Sequence, residues 1–232
     1  MSDIYITNPA KKMHNTCYST NTMATMATIL TVVAVIFLFY KKIVNQKIGD
    51  TNKTNIGFFC GAAGTSITTQ QYYHLDMLMQ NLNKSTYAIV YGGSKDGIMG
   101  KVGNLAIKNG LSLYAFDSSQ FNDSQYSQAH VKIHNTLIPR ENAFINDIDI
   151  AIVLPGVYGT LMELFWLVTL NNVHQTNKKI IIWNMDGYYT TLIEFLESNK
   201  FQAGPNVSFR SNRIVVCDTY KEVLLNIKKI SK

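Results

Sequence analysis

The sequence has few charged residues, few cysteines and few prolines. Of its 232 residues only 16% are charged, 47% are hydrophobic, four are proline and three are cysteine. This composition is that of a chain that can bury a sizeable core, which excludes wholesale disorder. Because Cys17, Cys60 and Cys217 are far apart in the sequence, a disulfide scaffold and a CxxC metal site are both excluded. Such sparse cysteines are typical of a reducing compartment.

The sequence also lacks a concentration of positive charge. Lysine and arginine outnumber aspartate and glutamate by 21 to 15, giving a net charge of +6, but the basic residues are scattered and form no stripe with aromatic residues. We therefore expect no nucleic-acid partner. The chain has neither a Walker A loop nor a Gly-x-Gly-x-x-Gly fingerprint, and its His, Cys and carboxylate residues show no ligand spacing. We expect no cofactor and no metal.

One uncharged stretch stands out near the N-terminus, after a short tail over residues 1–22. Residues 23–40 carry no charge, residues 29–39 are almost wholly apolar, and Lys41 and Lys42 follow. Eighteen helical residues span about 27 Å, close to the roughly 30 Å of a hydrocarbon core. We predict a single-pass membrane anchor over 23–42, a linker over 43–54 and a domain over 55–232. The lysines after the span favour a cytosolic domain.

Two other interpretations of this stretch are open. It is also compatible with a buried helix or with a signal peptide. A signal peptide needs a small-x-small cleavage site after its apolar core, and Phe37-Leu-Phe-Tyr-Lys-Lys42 has none. We therefore prefer the anchor.

The rest of the chain alternates apolar strands with amphipathic helices. Residues 150–154 are apolar without alternation, which predicts a strand buried on both faces. The pattern predicts an α/β fold, a doubly wound Rossmann-like parallel sheet with helices on both faces. The predicted strands are 56–60, 87–91, 111–116, 131–134, 150–154, 179–183 and 214–216, and the predicted helices are 68–82, 97–109, 141–146, 159–172, 189–198 and 220–230.

The loop after the strand at 150–154 is the strongest candidate for chemistry, because ligands bind beyond the carboxyl ends of such strands. It runs Pro155-Gly-Val-Tyr-Gly-Thr-Leu-Met-Glu163 and opens a helix. Free N–H groups at 159–161 and the helix dipole favour an anion, and the Thr160 hydroxyl adds a donor. Glu163, predicted on the first turn, either stabilises the helix N-terminus or acts on substrate. Tyr158 either faces substrate or only forms the turn.

A second glycine-rich loop, Tyr91-Gly-Gly-Ser-Lys-Asp-Gly-Ile-Met-Gly100, is weak evidence alone. Together with the first loop it resembles the Lonely Guy (LOG) family of cytokinin-activating phosphoribohydrolases. Two further segments are similar to that family, Asn184-Met-Asp-Gly-Tyr-Tyr189 and Cys60-Gly-Ala-Ala-Gly64. The resemblance covers roughly residues 55–227.

The resemblance implies hydrolysis of the N-glycosidic bond of a purine nucleoside 5′-monophosphate, with N6-modified adenine among the candidate bases. The family pairs a glutamate with an arginine 23 positions earlier, which implies that Glu163 and Arg140 are catalytic. It also implies a homodimer. The implied substrate- and phosphate-binding residues are Gly92, Gly93, Glu141, Gly156, Val157, Tyr158, Gly159, Thr160, Leu161 and Thr169.

This chain departs from the family pattern at three of these loop and site positions. Val157 replaces the second glycine of the first motif, Ser94 replaces the third glycine of the earlier loop, and Glu141 replaces a lysine, which reverses a charge. A second hypothesis is therefore a nucleotide- or cofactor-binding protein without hydrolysis, similar to molybdenum-cofactor carriers. Arg140 could instead have no catalytic role and only form a surface ion pair with Glu141 or Asp147.

Overall fold

The structure, a computed structural model, describes residues 28, 30–35, 49–121, 126, 128–198 and 213–230. The chain divides into two compact units, residues 1–44 and 45–232. Within the first unit the described residues 28 and 30–35 are helical. No helix among the described residues is long and apolar enough to cross a membrane. Most of the anchor predicted over 23–42 lies outside the described residues, and it stays a prediction.

The second unit is built on a seven-stranded sheet whose neighbouring strands are all parallel. The strand order across the sheet is β4-β3-β2-β1-β5-β6-β7. The predicted parallel sheet is therefore confirmed. The strands are β1 (Thr54–Phe59), β2 (Tyr87–Tyr91), β3 (Ser112–Ser118), β4 (His130–His134), β5 (Ile150–Val153), β6 (Lys179–Trp183) and β7 (Ile214–Cys217).

Among the described residues of this unit, six α-helices cover the two faces of the sheet. They are α1 (Thr69–Gln80), α2 (Gly97–Lys108), α3 (Leu137–Asp147), α4 (Tyr158–Asn172), α5 (Thr190–Glu197) and α6 (Tyr220–Ile230). Helices α1, α2 and α6 contribute to one buried apolar cluster, and α3, α4 and α5 to the other. Successive strand residues alternate between the two, as Phe58 and Phe59 do. This two-sided burial explains why the strands are apolar throughout.

Two predicted boundaries were wrong in ways that matter for the site. Helix α3 begins at Leu137, not at residue 141, so Pro139 lies in its first turn. Proline is tolerated there because its missing N–H would have no partner inside the helix. Strand β3 extends two residues beyond 116 and ends at Ser118, which places Asp117 at its carboxyl end.

The order of the strands locates the crevice of the fold. Strands β2 to β4 lie on one side of β1 and strands β5 to β7 on the other. At this reversal the loops after β1 and β5 meet, and the Gly61 amide donates to the Pro155 carbonyl at 3.2 Å. Ligands of open α/β sheets bind in such a crevice.

Candidate active site

A cavity of about 690 Å³ opens at the carboxyl ends of β1, β2, β3 and β5. Its volume lies within the roughly 300–1,000 Å³ of small-molecule sites. The charged residues that line it are Asp117, Arg140, Glu141 and Glu163. The other lining residues are Cys60, Gly61, Ala62, Ala63, Gly92, Ser94, Met99, Phe121, Leu137, Val157, Tyr158, Gly159, Thr160 and Met162.

Arg140 is the buried cation of this cavity, with only 6% of its surface exposed. Its Nε donates to the Phe116 carbonyl at 2.9 Å, and its Nη2 donates to the Gly92 carbonyl at 3.2 Å. These two backbone contacts hold the guanidinium where β2 and β3 end. A Cβ at Gly92 would lie 2.4 Å from Arg140 Nη2, so the glycine leaves room for the arginine.

Two buried carboxylates share the remaining nitrogen of that guanidinium. Arg140 Nη1 donates to Glu163 Oε1 at 3.2 Å and also to Glu141 Oε1. Glu141 is 4% and Glu163 5% exposed. The surface ion pair considered for Arg140 is right about one partner, Glu141, but wrong about the location, because Arg140, Glu141 and Glu163 are buried in one cluster.

The surroundings of Glu163 make its carboxyl hard to ionise. Burial, together with the charge of Glu141, raises the pKa of Glu163 to about 8, although Arg140 acts in the opposite direction. Burial likewise raises the pKa of Glu141, with Arg140 opposing. A carboxyl that titrates near neutral pH in a cleft is a candidate for acid, base or nucleophilic chemistry.

Glu163 was predicted on the first turn of its helix, and this prediction was wrong. Because α4 begins at Tyr158, Glu163 is the sixth residue of the helix, and its first turn holds no acidic residue. The interaction of a charge with the helix dipole falls off within the first turn. The hypothesis that Glu163 only stabilises the helix N-terminus is thereby weakened.

The N-terminus of α4 forms one wall of the cavity. The Leu161 amide donates to the Val157 carbonyl at 3.0 Å, so it is already used, contrary to the prediction for 161. The amides of Tyr158, Gly159 and Thr160 precede the first intrahelical hydrogen bond and have no partner within the helix. Val157 has φ −107° and a side chain that is 56% exposed. This φ is accessible to any residue, so the valine in place of glycine needs no strained backbone, and the residue lines both this cavity and a smaller neighbouring one.

Gly156 is the position in this loop where a side chain has no room. A Cβ there would lie 2.1 Å from Thr160 Oγ1 and 2.9 Å from the Gly61 nitrogen, whereas a Cβ at Gly159 would meet nothing within 4 Å. We expect Gly156→Ala to lower the free energy of unfolding by about 1–3 kcal/mol through overpacking. We expect Gly159→Ala to be neutral or stabilising by up to about 1 kcal/mol. Urea unfolding of both variants measures this, and equal effects at the two glycines would contradict it.

The segment Asn184–Tyr189 hydrogen-bonds to the loop that contains Pro155 and Gly156. The Tyr188 hydroxyl donates to the Gly156 carbonyl at 3.0 Å, and the Tyr189 hydroxyl donates to the Leu154 carbonyl at 2.7 Å. Asn184 Oδ1 accepts from the Tyr189 amide at 2.7 Å. The family resemblance identified this segment but gave it no role. In the structure its tyrosines donate to the carbonyls on both sides of Pro155.

The structure brings together most of the predicted site residues. Arg140, Glu163, Glu141, Gly92, Val157, Tyr158, Gly159 and Thr160 all line the large cavity. Gly156 lines a neighbouring cavity of about 180 Å³ instead. Gly93, Leu161 and Thr169 line neither of these two cavities. The Thr169 hydroxyl donates to the Phe165 carbonyl at 2.7 Å on an exposed part of α4, and its role in binding stays a prediction.

Ten of the lining residues were not among the predicted site residues, and three of these are Asp117, Cys60 and Met99. Asp117 lies at the end of β3 and is 3% exposed, and Cys60 lies just after the end of β1, also 3% exposed. The position of each next to a strand's carboxyl end was the available signal, but β3 was predicted to stop before Asp117. Burial raises the pKa of Cys60 well above its usual range, so its thiol stays protonated at neutral pH. The third residue is Met99, at the start of α2.

No group of three or more His, Cys, Asp and Glu residues in the described part of the chain is arranged to hold a metal ion. The large cavity instead combines one cation, three carboxylates and unpaired helix amides. Such a set can bind an anion at one end and stabilise developing positive charge at the other.

Known proteins with similar sequences are plant and bacterial enzymes. The chain is 26% identical over 158 residues to a probable cytokinin riboside 5′-monophosphate phosphoribohydrolase of Oryza sativa subsp. japonica, covering 67% of this chain and 70% of that protein. It is 25% identical over 179 residues to a cytokinin riboside 5′-monophosphate phosphoribohydrolase of Rhodococcoides fascians, covering 75% and 89%. The Arabidopsis thaliana enzyme of the same description is 26% identical over 161 residues, covering 68% and 74%.

Two solved structures with the same fold are those of molybdenum cofactor carrier and binding proteins. The molybdenum cofactor carrier protein of Chlamydomonas reinhardtii matches with a TM-score of 0.58 at 13% identity, covering 77% of this chain and 98% of that one. The molybdenum cofactor binding protein of Rippkaea orientalis matches with a TM-score of 0.59 at 19% identity, covering 79% and 100%. At these identities the likeness establishes the Rossmann-like fold alone.

The family with the description "Possible lysine decarboxylase" matches residues 99–227, which is more than half of the chain. This stretch holds Arg140, Glu141, Glu163 and the N-terminus of α4. The family resemblance drawn from the two glycine-rich loops is therefore confirmed, and the chain belongs to the Lonely Guy (LOG) family.

Proposed function

We propose that this chain hydrolyses the N-glycosidic bond of a purine nucleoside 5′-monophosphate, releasing the free base and ribose 5-phosphate. The observation that carries the proposal is the contact between Arg140 Nη1 and Glu163 Oε1, two residues 23 positions apart that meet at 3.2 Å inside the cavity. The names of the enzymes with about 25% identity support the same reaction.

The phosphate belongs at the N-terminus of α4. The amides of Tyr158, Gly159 and Thr160 have no partner within the helix there, and the helix dipole favours an anion. The Thr160 hydroxyl lies beside them in the cavity wall. Binding the phosphate at this point places the ribose about one helical turn farther in, next to Glu163.

Glu163 then faces the anomeric carbon of the ribose. Cleavage of the glycosidic bond builds positive charge on that carbon. An ionised carboxylate stabilises the charge while water adds to the carbon, or it forms a glycosyl ester that water then hydrolyses. The base leaves with the bonding electron pair and takes up a proton released by the water. Arg140 holds the Glu163 carboxylate in place and stabilises negative charge on the departing base or on the sugar phosphate. Met99, Leu137 and Phe121 line the same cavity, and their apolar surfaces suit a purine with an apolar N6 substituent.

A base-release assay tests the proposal directly. The full chain is incubated with AMP and with isopentenyl-AMP, and the free base and ribose 5-phosphate are measured by chromatography. We expect the two products in equal amounts, and much slower release from adenosine because it lacks the phosphate. Binding of the nucleotides without any release of base would instead favour the alternative, a nucleotide- or cofactor-binding protein of the same fold.

The homodimer and the membrane anchor implied at the sequence level stay predictions. On α4, Trp166 is 41% exposed and Met162 is 36% exposed. We propose that a second copy of the chain contacts this helix. We also retain the proposal of a membrane-tethered protein with a cytosolic domain.

A further inference from the structure

Glu141 carries a buried carboxylate oxygen that no residue of the chain's described part uses. Its Oε1 accepts from Arg140 Nη1, but its Oε2 has no hydrogen-bond partner among the described residues. The residue is 4% exposed and lines the large cavity. Buried carboxylate oxygens are normally hydrogen-bonded, so an unpaired one in a binding cavity calls for a donor supplied from elsewhere.

The charges around Glu141 define what kind of group that donor is. The charged residues lining the cavity are three carboxylates, Asp117, Glu141 and Glu163, and one arginine. An anionic phosphate oxygen is an acceptor and cannot donate to Glu141 Oε2, and the N-terminus of α4 offers the phosphate a better place. The group that reaches Glu141 Oε2 is therefore a hydrogen-bond donor other than the phosphate, and the donors that a nucleotide offers there are its neutral hydroxyl and amino groups.

The position of Glu141 beside Glu163 selects among the donors of a nucleotide. Both carboxylates contact the same guanidinium nitrogen, Arg140 Nη1, so they lie next to each other. If Glu163 faces the anomeric carbon, the nearest substrate donor is the 2′-hydroxyl, which sits on the neighbouring ring carbon. The exocyclic amino group of adenine lies on the far side of the base.

From this arrangement we infer that Glu141 is a sugar-recognition residue whose Oε2 accepts a hydrogen bond from the 2′-hydroxyl of the ribose. The inference rests on the proposed function, because it uses Glu163 to place the sugar. Hydrogen bonds to the hydroxyl next to the anomeric carbon strengthen as a glycosidic bond breaks. Glu141 would thus discriminate between ribonucleotides and 2′-deoxyribonucleotides. The family pattern has a lysine at this position.

The test compares the binding of AMP, 2′-deoxy-AMP and 3′-deoxy-AMP by calorimetry. Three full-length variants are compared, and all three carry Glu163→Gln so that bound nucleotide is not cleaved. The first has no other change, the second adds Glu141→Gln, and the third adds Glu194→Gln. Glu194 is an exposed residue of α5 and serves as the matched control. We expect AMP to bind about 10- to 100-fold more tightly than 2′-deoxy-AMP, the range of a hydrogen bond to a charged group. With Glu141→Gln the preference should fall to a few-fold, and with Glu194→Gln it should not change.

Two results would overturn the inference. One is that Glu141→Gln leaves the preference for AMP over 2′-deoxy-AMP unchanged. The other is that Glu141→Gln removes the preference for AMP over 3′-deoxy-AMP and not the preference over 2′-deoxy-AMP. If either occurs while the unmodified chain still releases base from AMP, only this inference fails. If none of the three nucleotides binds to any variant and no base is released, the proposed function fails with it.

Discussion

Glu163→Gln is expected to reduce the release of base from AMP by about 10²–10⁴-fold, the contribution typical of a positioned acid or base. The glutamine has nearly the same shape and keeps an oxygen for Arg140 Nη1, but it cannot carry the negative charge that stabilises the anomeric centre. Since the phosphate is held by α4 and not by Glu163, the dissociation constant for AMP should change by less than tenfold. Steady-state kinetics and calorimetry on the same preparation separate the two effects.

The control for this experiment is Glu194→Gln, the same chemical change at an exposed position of α5. It should leave base release at the wild-type rate. Full activity of Glu163→Gln would show that this carboxyl takes no part in the reaction. Loss of binding along with activity would assign Glu163 to holding substrate.

The same variant has a second expected effect, on stability as a function of pH. The pKa of Glu163 is raised from 4.5 to about 8 in the folded protein, first by burial and then by the charge of Glu141. Below about pH 4.5 the carboxyl is protonated in both states, so its contribution to stability is fully present. As the pH rises through 8 the folded state must hold a buried charge, and that stability is lost.

Glu163→Gln removes this loss because glutamine does not ionise. We therefore expect the variant to melt at a higher temperature than the wild type at pH 9 and at a similar temperature at pH 5. Thermal unfolding at both pH values measures the difference. A variant equally or less stable than the wild type at pH 9 would contradict the raised pKa.

Arg140→Met is expected to lower the free energy of unfolding by about 3–5 kcal/mol and to abolish base release. Removing one partner of a buried ion pair leaves the other charge uncompensated, and here two carboxylates, Glu141 and Glu163, lose their shared cation. Urea unfolding gives the first quantity, and the base-release assay gives the second.

Arg140→Lys keeps the charge and tests the shape of the guanidinium. A lysine cannot reproduce the contacts of Nε to the Phe116 carbonyl and of Nη2 to the Gly92 carbonyl at once. We expect a folded protein whose kcat/KM falls by at least tenfold. The matched control is Arg213→Lys, which loses guanidinium contacts to the carbonyls of Asn171 and Thr176 away from the cavity and should keep wild-type activity. Wild-type kcat/KM in Arg140→Lys would limit the role of Arg140 to its charge.

Much of the fold follows from local patterns. The predicted strand at 87–91 and the predicted strand at 179–183 match the observed strands residue for residue. The helix predicted over 97–109 ends one residue earlier, before Gly110 with its φ of +68°. These boundaries are marked by glycines and by the change from continuous to periodic hydrophobicity, which neighbouring residues determine.

Two other features of the helices were not predicted correctly from the sequence. Helix α3 begins four residues before the predicted start at 141, with Pro139 accommodated in its first turn. Thr169 was included by family resemblance, yet six positions along a helix of 3.6 residues per turn place it about 240° around the axis from Glu163. Its exposed position on α4 follows from that rotation.

Residues close together in the chain were enough to predict which segments form strands and helices, and where the glycine-rich turns and reactive side chains lie. Hydrophobic period and turn chemistry are properties of adjacent residues and need no partner. The three-dimensional arrangement was needed to show that the turns after β1 and β5 meet, that Arg140 is buried, and that Glu141 shares its guanidinium with Glu163. Burial and electrostatic coupling arise between elements brought together by the order of the strands, which no local pattern contains.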